Sequence, residues 1–287
     1  MLSTFNIDTL QIHGGSQSSY ILTDVTGLDA PDIRLSSYEN PGEDGLTVST
    51  QRYGGRLLTL PGVVQGSDVA TYLAARRALS YACRVRHDSF GLVSGIPLTF
   101  TTLDGASYSV TGYIKPPLRM SGPHPTWAPF QISFLCPDPA IYGTTLLTTG
   151  QVSVATGGGF TFPATFPITF TTGTGGSGTL NNTGTMDTWP LIYLRGAMQN
   201  PRIYSVQRGA ALKLNYTTTN ASDLIVINMR NKTIMLNGSV NLLQYRDSAD
   251  RAWFSLPPDV NTILFGTTSS GDTGTMEATA YPAYQSI

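Results

Sequence analysis

The feature that most restricts the fold is a series of short apolar pulses between Leu224 and Phe265, each closed by turn chemistry before a helix could form. Leu224–Met229 and Thr233–Leu236 are short and rich in β-branched residues. Asn237-Gly238 follows them, and a two-residue hairpin loop needs positive φ at both central positions, which this dipeptide tolerates best. Val240–Tyr245 is expected to return as a strand and Trp253–Leu256 to form another. Pro257-Pro258-Asp259 then punctuates before Asn261–Phe265. No helical period interrupts the series. Strands of this length and spacing predict an antiparallel β-sandwich.

The first half of the chain reads differently. Phe5, Ile7, Leu10 and Ile12 alternate, and Tyr20–Leu22 is a short apolar run. Asn40–Gly45 is dense in turn residues. Beyond it, Leu46–Arg52 and Gly55–Leu60 flank Tyr53-Gly54-Gly55-Arg56 and read as an ordinary β-hairpin. Ser67 to about Arg86 is the one helical pattern, with Ser67 as N-cap and Asp68 complementing the positive end of the dipole. At 100° per residue Val69, Tyr72, Leu73, Ala75, Leu79 and Cys83 share a face, whereas Arg77, Tyr81 and Arg84 point away. Arg76 falls inside the apolar face, so its stem snorkels or its head meets a carboxylate. Ile96–Leu103 and Ser107–Ile114 form a hairpin through Asp104-Gly105, and Phe130–Leu135 is the last strand of this half.

Cys136–Gly143 is proline-rich and marks the domain boundary, giving domains 1–139 and 140–287. From Pro139 to Met186 no charged residue or histidine occurs, and aromatic pulses at Phe160–Phe162 and Phe166–Phe170 argue for strands over a flexible linker. The expected class is therefore mainly β: a β-sandwich-like first domain with one α-helix, then an antiparallel β-sandwich.

Composition narrows the chemistry. Charged residues are only 12% of the 287 and net charge is −1, so nothing draws the chain toward nucleic acid or anionic membrane. A surface this poor in charge suits a protein covered by partner subunits, or a neutral β-protein with threonine-rich faces. The first charge is Asp8 and no long apolar run exists, which predicts a soluble protein made without a cleaved signal. Gly173–Gly178 has the spacing of a dinucleotide loop, but a turn-like segment follows where a helix must start. Cys83 and His87 lie one helical turn apart. A core-facing thiol reads as inert, and no further ligand completes a metal site. The acids nominate no catalytic pair. Neither catalytic residue, metal nor cofactor is expected.

The order of several motifs resembles the distal tail protein family of long-tailed (siphovirus) phages. In the second half, Arg230, the Asn-Gly turn and Trp253-Phe254-x-Leu256-x-Pro258-x-x-Asn261-x-Ile263 resemble the galectin-like domain of that family. Asp259 stands where glycine is common, and Asn228 where aspartate is. In the first half Gly27-Leu28-x-x-Pro31, Asp44-Gly45, Arg56-x-x-x-Leu60-x-Gly62 and Asp138-Pro139…Tyr142 match its phrases. The resemblance implies a homohexameric ring built by the first domains, with galectin-like domains radiating outward. It also implies the tail tube protein, a hub or tail-tip protein and the tape measure protein as partners. The location would be the distal end of the virion tail, assembled in the host cytoplasm. Such a ring leaves a channel for DNA without reading its sequence, and needs no membrane insertion. Arg76, Arg77 and Arg84 are candidate subunit or partner contacts, against a solvated helix face. The alternative is a sugar-binding receptor module with Trp189, Trp253 and Tyr245 stacking on the ring, although alternation places Trp253 in the core.

Overall fold

Alternation along Arg56–Gln65 buries Arg56, Leu58, Leu60, Gly62 and Val64 on one side, and this strand anchors the first core. It pairs antiparallel with Trp127–Cys136 in a register that sets Leu58 opposite Phe134, Leu60 opposite Ile132 and Val64 opposite Ala128. The computed structural model describes residues 2–14, 19–122, 124–154, 176–269 and 271–287. The chain divides into two compact units, Met1–Thr144 with Tyr284–Ile287, and Thr145–Ala283. It is mainly β, with a single α-helix among the described residues.

In the first unit the strand order is Leu10–His13, Leu2–Ile7, Ile96–Thr102, Ser107–Ile114, Trp127–Cys136, Arg56–Gln65 and Tyr20–Leu22. Phe5 stacks on Phe100 at 5.6 Å between ring centroids, within a core that also holds Ile7, Leu98 and Phe134. A Cβ at Gly62 would lie 2.6 Å from the Phe130 ring, so the motif glycine is required by close packing. The Ile96–Thr102 hairpin closes through three residues, Leu103-Asp104-Gly105, and not two. Gly105 takes φ 86° and its amide donates to Thr102 O, the geometry of a type I turn with a bulge.

The helix spans Val69–Ala82, shorter than its apolar pattern, and Asp68, not Ser67, is its N-cap: the carboxylate accepts from the Thr71 amide at 2.8 Å. Tyr72, Ala75, Leu79, Ala82 and Cys83 are buried, while Val69 and Leu73 from the expected face stay half-exposed. The helix is therefore seated by a narrower stripe than its sequence offers. The Tyr20 hydroxyl donates to Ala75 O at 2.8 Å and ties helix to sheet.

The second unit stacks two antiparallel sheets. One runs Leu147–Thr148, Thr275–Ala280, Leu191–Arg195, Leu224–Asn228, Thr233–Leu236 and Val240–Asn241. The other runs Gly176–Asn182, Asp259–Gly266, Arg202–Ser205, Ala210–Leu214 and Arg246–Arg251. Ile192, Leu194, Ile225 and Ile227 from the first sheet share a core with Leu180, Ile203, Leu212, Ile263 and Phe265 from the second. Asn237 and Gly238 take φ 50° and 70°, as the hairpin turn demands. After it, only Val240–Asn241 is strand, and a 3-10 turn at Leu243–Tyr245 replaces the expected continuation. Trp253–Leu256 contributes only a bridge from Leu256 to Thr188, and the edge strand is instead the polar Arg246–Arg251. The pulses Phe160–Phe162 and Phe166–Phe170 lie outside the described residues. No helix among the described residues is long and apolar enough to cross a membrane.

Candidate assembly surface

Arg56 is 2% exposed, yet no carboxylate among the described residues receives it. Its guanidinium donates to Gly27 O and Asp29 O, to Pro139 O at 2.8 Å, and to Gln285 O at 2.7 Å. Three phrases scattered through the first half (Gly27-Leu28, Arg56 and the Asp138-Pro139 junction) therefore meet on one side chain. Burial pulls its pKa down, with Cys136, Asp29 and Asp138 opposing, but a guanidinium stays charged. The planar fork suits several carbonyls converging from separate segments. The motif order was legible in sequence, but this junction was not, because backbone carbonyls carry no residue signature.

Leu46–Tyr53 does not pair with Gly55–Leu60. It pairs with Ile33–Glu39 alone, in a two-stranded sheet, because Arg56–Gln65 is taken by Trp127–Cys136 and Tyr20–Leu22. We call this hairpin the arm. Cross-strand partners share a face, so the register puts Ile33, Leu35, Tyr53, Val48 and Leu46 on one side and Arg34, Arg52 and Tyr38 on the other. A register shift between Ser36 and Ser37 achieves this, since in unbroken register Val48 and Leu46 would point opposite to Tyr53. The five apolar side chains are 39–62% exposed, an uncovered face on an element that is marginal by itself in water. At the tip, Thr47 Oγ1 donates to Asn40 Oδ1 at 2.7 Å, and Glu39, Glu43 and Asp44 are exposed.

The helix presents its own outer face. Arg77 and Arg84 are exposed there and Arg76 is half-buried, its Nη1 donating to the Tyr72 hydroxyl at 3.2 Å. Snorkelling is thus the arrangement at Arg76. Arg84 lies over the Tyr81 ring at 3.6 Å and donates to Tyr81 O at 2.9 Å. Cys83 and His87 are not on one helix: the helix ends at Ala82 and His87 belongs to the short hairpin Arg86–His87/Val93–Ser94. Burial pushes the Cys83 thiol up to about 12 and the Cys136 thiol up to about 11, so neither is a nucleophile at neutral pH.

In the second unit Trp253 is half-buried, not in the core proper, and its ring carries the Arg246 guanidinium at 5.3 Å. Phe254 and Leu256 are the buried apolar members of that segment. Tyr245 is tilted against Tyr216 at 5.0 Å, and Trp189 sits next to Thr188, on a separate segment. Of the dinucleotide-like glycines, Gly173 and Gly175 lie outside the described residues, but Gly178 is inside the strand Gly176–Asn182, where the motif would need a helix start. A Cβ there would lie 2.7 Å from Thr149 Cβ, so the glycine serves packing.

Residues 183–279 match the model of a family described as siphovirus-type tail component, C-terminal domain. By fold the chain is similar to the crystal structure of the SPP1 Dit protein, described as a paradigm of the hub adsorption apparatus in Gram-positive infecting phages. The TM-score is 0.66 at 18% identity, over 96% of this chain and 97% of that one. It is also similar to a chain of the phage P2 baseplate in its activated conformation with Ca, with a TM-score of 0.51 at 10% identity, over 97% of this chain and 98% of that one. A comparison with curated protein sequences found no match. Residues 183–279 are thus similar to the C-terminal domain of the siphovirus-type tail components, and over nearly its whole length the chain has the fold of the SPP1 Dit protein.

Proposed function

We propose that this chain is the distal tail protein of a long-tailed phage, a structural hub without a catalytic site. Its first unit assembles into a six-fold ring, which joins the tail tube to the tail-tip or baseplate complex and leaves a channel for DNA. Tube, hub or tail-tip protein and tape measure protein are its partners, and its place is the distal end of the tail. The observation that carries this reading is the arm, whose apolar face no described residue of its own unit covers. Closed rotational assemblies use contacts in which different patches of neighbouring copies meet, and an uncovered hairpin is suited to one. Sugar binding is disfavoured by Arg246, which occupies the Trp253 face a pyranose would need.

Light scattering of the purified chain, with negative-stain images of the same sample, tests the reading. The expected result is a particle near six times 30.7 kDa with a central hole. A monomer at all concentrations, with and without tube protein, would sink it.

A further inference from the structure

We propose that the arm of one copy docks along the outer face of the helix of the next copy. The inference rests on the ring reading and names the contact that closes it. Both surfaces are uncovered within one chain: the arm's apolar face is exposed, and Val69 and Leu73 on the helix are 50% and 38% exposed. Among the described residues both faces stay exposed within one chain, so the contact joins copies.

Charge and length agree. The arm tip carries Glu39, Glu43 and Asp44, all exposed. The helix carries Arg76 and Arg77, and Arg84 follows just past its C-cap, with no acid between Val69 and Arg84. Spacings of four, seven and eight residues put Leu73, Arg76 and Arg77 on the stripe that Val69 begins. Arg84 is held in place by its stack on Tyr81. A 14-residue helix is about 21 Å long, and the seven-residue strand of the arm about 23 Å, so one spans the other. With the root of the arm over Val69, Leu35 and Val48 cover Leu73 and the acidic tip reaches Arg84. Each copy offers one arm and one helix. The contact therefore propagates head to tail until the ring closes.

The test combines trapping with charge reversal in the full chain. Leu35→Cys with Leu73→Cys in one chain, mildly oxidised, is expected to give a ladder of linked multimers, the native thiols being buried. Glu39→Lys/Glu43→Lys/Asp44→Lys, or Arg76→Glu/Arg77→Glu/Arg84→Glu, is expected to cut the ladder at least tenfold and shift the particle toward monomer. All six reversals together are expected to restore both. All six positions are at least partly exposed, so unchanged circular dichroism accompanies each variant. If the wild type assembles but the Leu35→Cys/Leu73→Cys chain gives no ladder, or if neither triple variant changes assembly, the arm–helix contact is overturned and the ring stands. A wild type that stays monomeric with and without tube protein, together with no ladder from the double-cysteine chain, overturns both.

Discussion

Asp259 holds φ at 78°, in the left-handed region where a Cβ is disfavoured and glycine is not. The position is forced from behind by Asn261, which is fully buried and donates from Nδ2 to both Pro257 O and Asp259 O at 2.8 Å. Spacing alone marks Pro258 and Asn261 as a pair, but only the fold shows that the asparagine clamps the turn. Glycine would take this conformation without a Cβ penalty, and Asp259 accepts strain in its place. Asp259→Gly is expected to stabilise the chain by about 0.5–1 kcal/mol, read as a higher denaturant midpoint with an unchanged slope. A lower midpoint would mean that the carboxylate contributes more than its backbone conformation costs. Arg56 is the other residue whose role required coordinates: its partners are four carbonyls from three stretches far apart in sequence.

Elements with regular apolar periods were readable, and those held by polar groups were not. The strand Arg246–Arg251 has no apolar alternation, yet it closes one sheet of the second unit. Its entry is organised by Asp247, whose carboxylate accepts from the Ala249 amide at 2.8 Å, Asn215 Nδ2 at 3.1 Å and the Asp250 amide at 3.2 Å. Those bonds, the Ala249 amide foremost, hold its pKa at about 2. A depressed carboxylate contributes stability that is complete above its unfolded pKa of roughly 4 and is lost as pH falls through the folded value. Thermal unfolding followed from about pH 5 downward is therefore expected to show a decline below roughly pH 4 that Asp247→Asn makes shallower. An identical slope in the variant would remove Asp247 from this role. The arm failed to be read for a related reason: a one-residue register shift decides which side chains share a face, and no local signal announces it.

At the scale of the molecule, the chain leaves the first unit at Thr144 and returns to it at Tyr284. The returning segment is held by Gln285 O on Arg56 and by the edge-to-face contact of Tyr284 with Tyr108 at 5.4 Å. Deleting Tyr284–Ile287 leaves a buried guanidinium one acceptor short and is expected to cost about 1–3 kcal/mol, most of it in the unfolding of the first unit. An unchanged denaturant midpoint would show the segment to be passive. The sequence by itself determined the mainly β class, the single helix, the Asn-Gly turn and the family motifs, because periodicity and turn chemistry are local and each residue carries its own preference. Only the tertiary structure decided the return of the chain to its first unit, the Arg56 junction, the amphipathic arm and the narrow seat of the helix. Those depend on which segments compete for the same edge or carbonyl, and that competition is settled by packing across distances the local pattern does not encode.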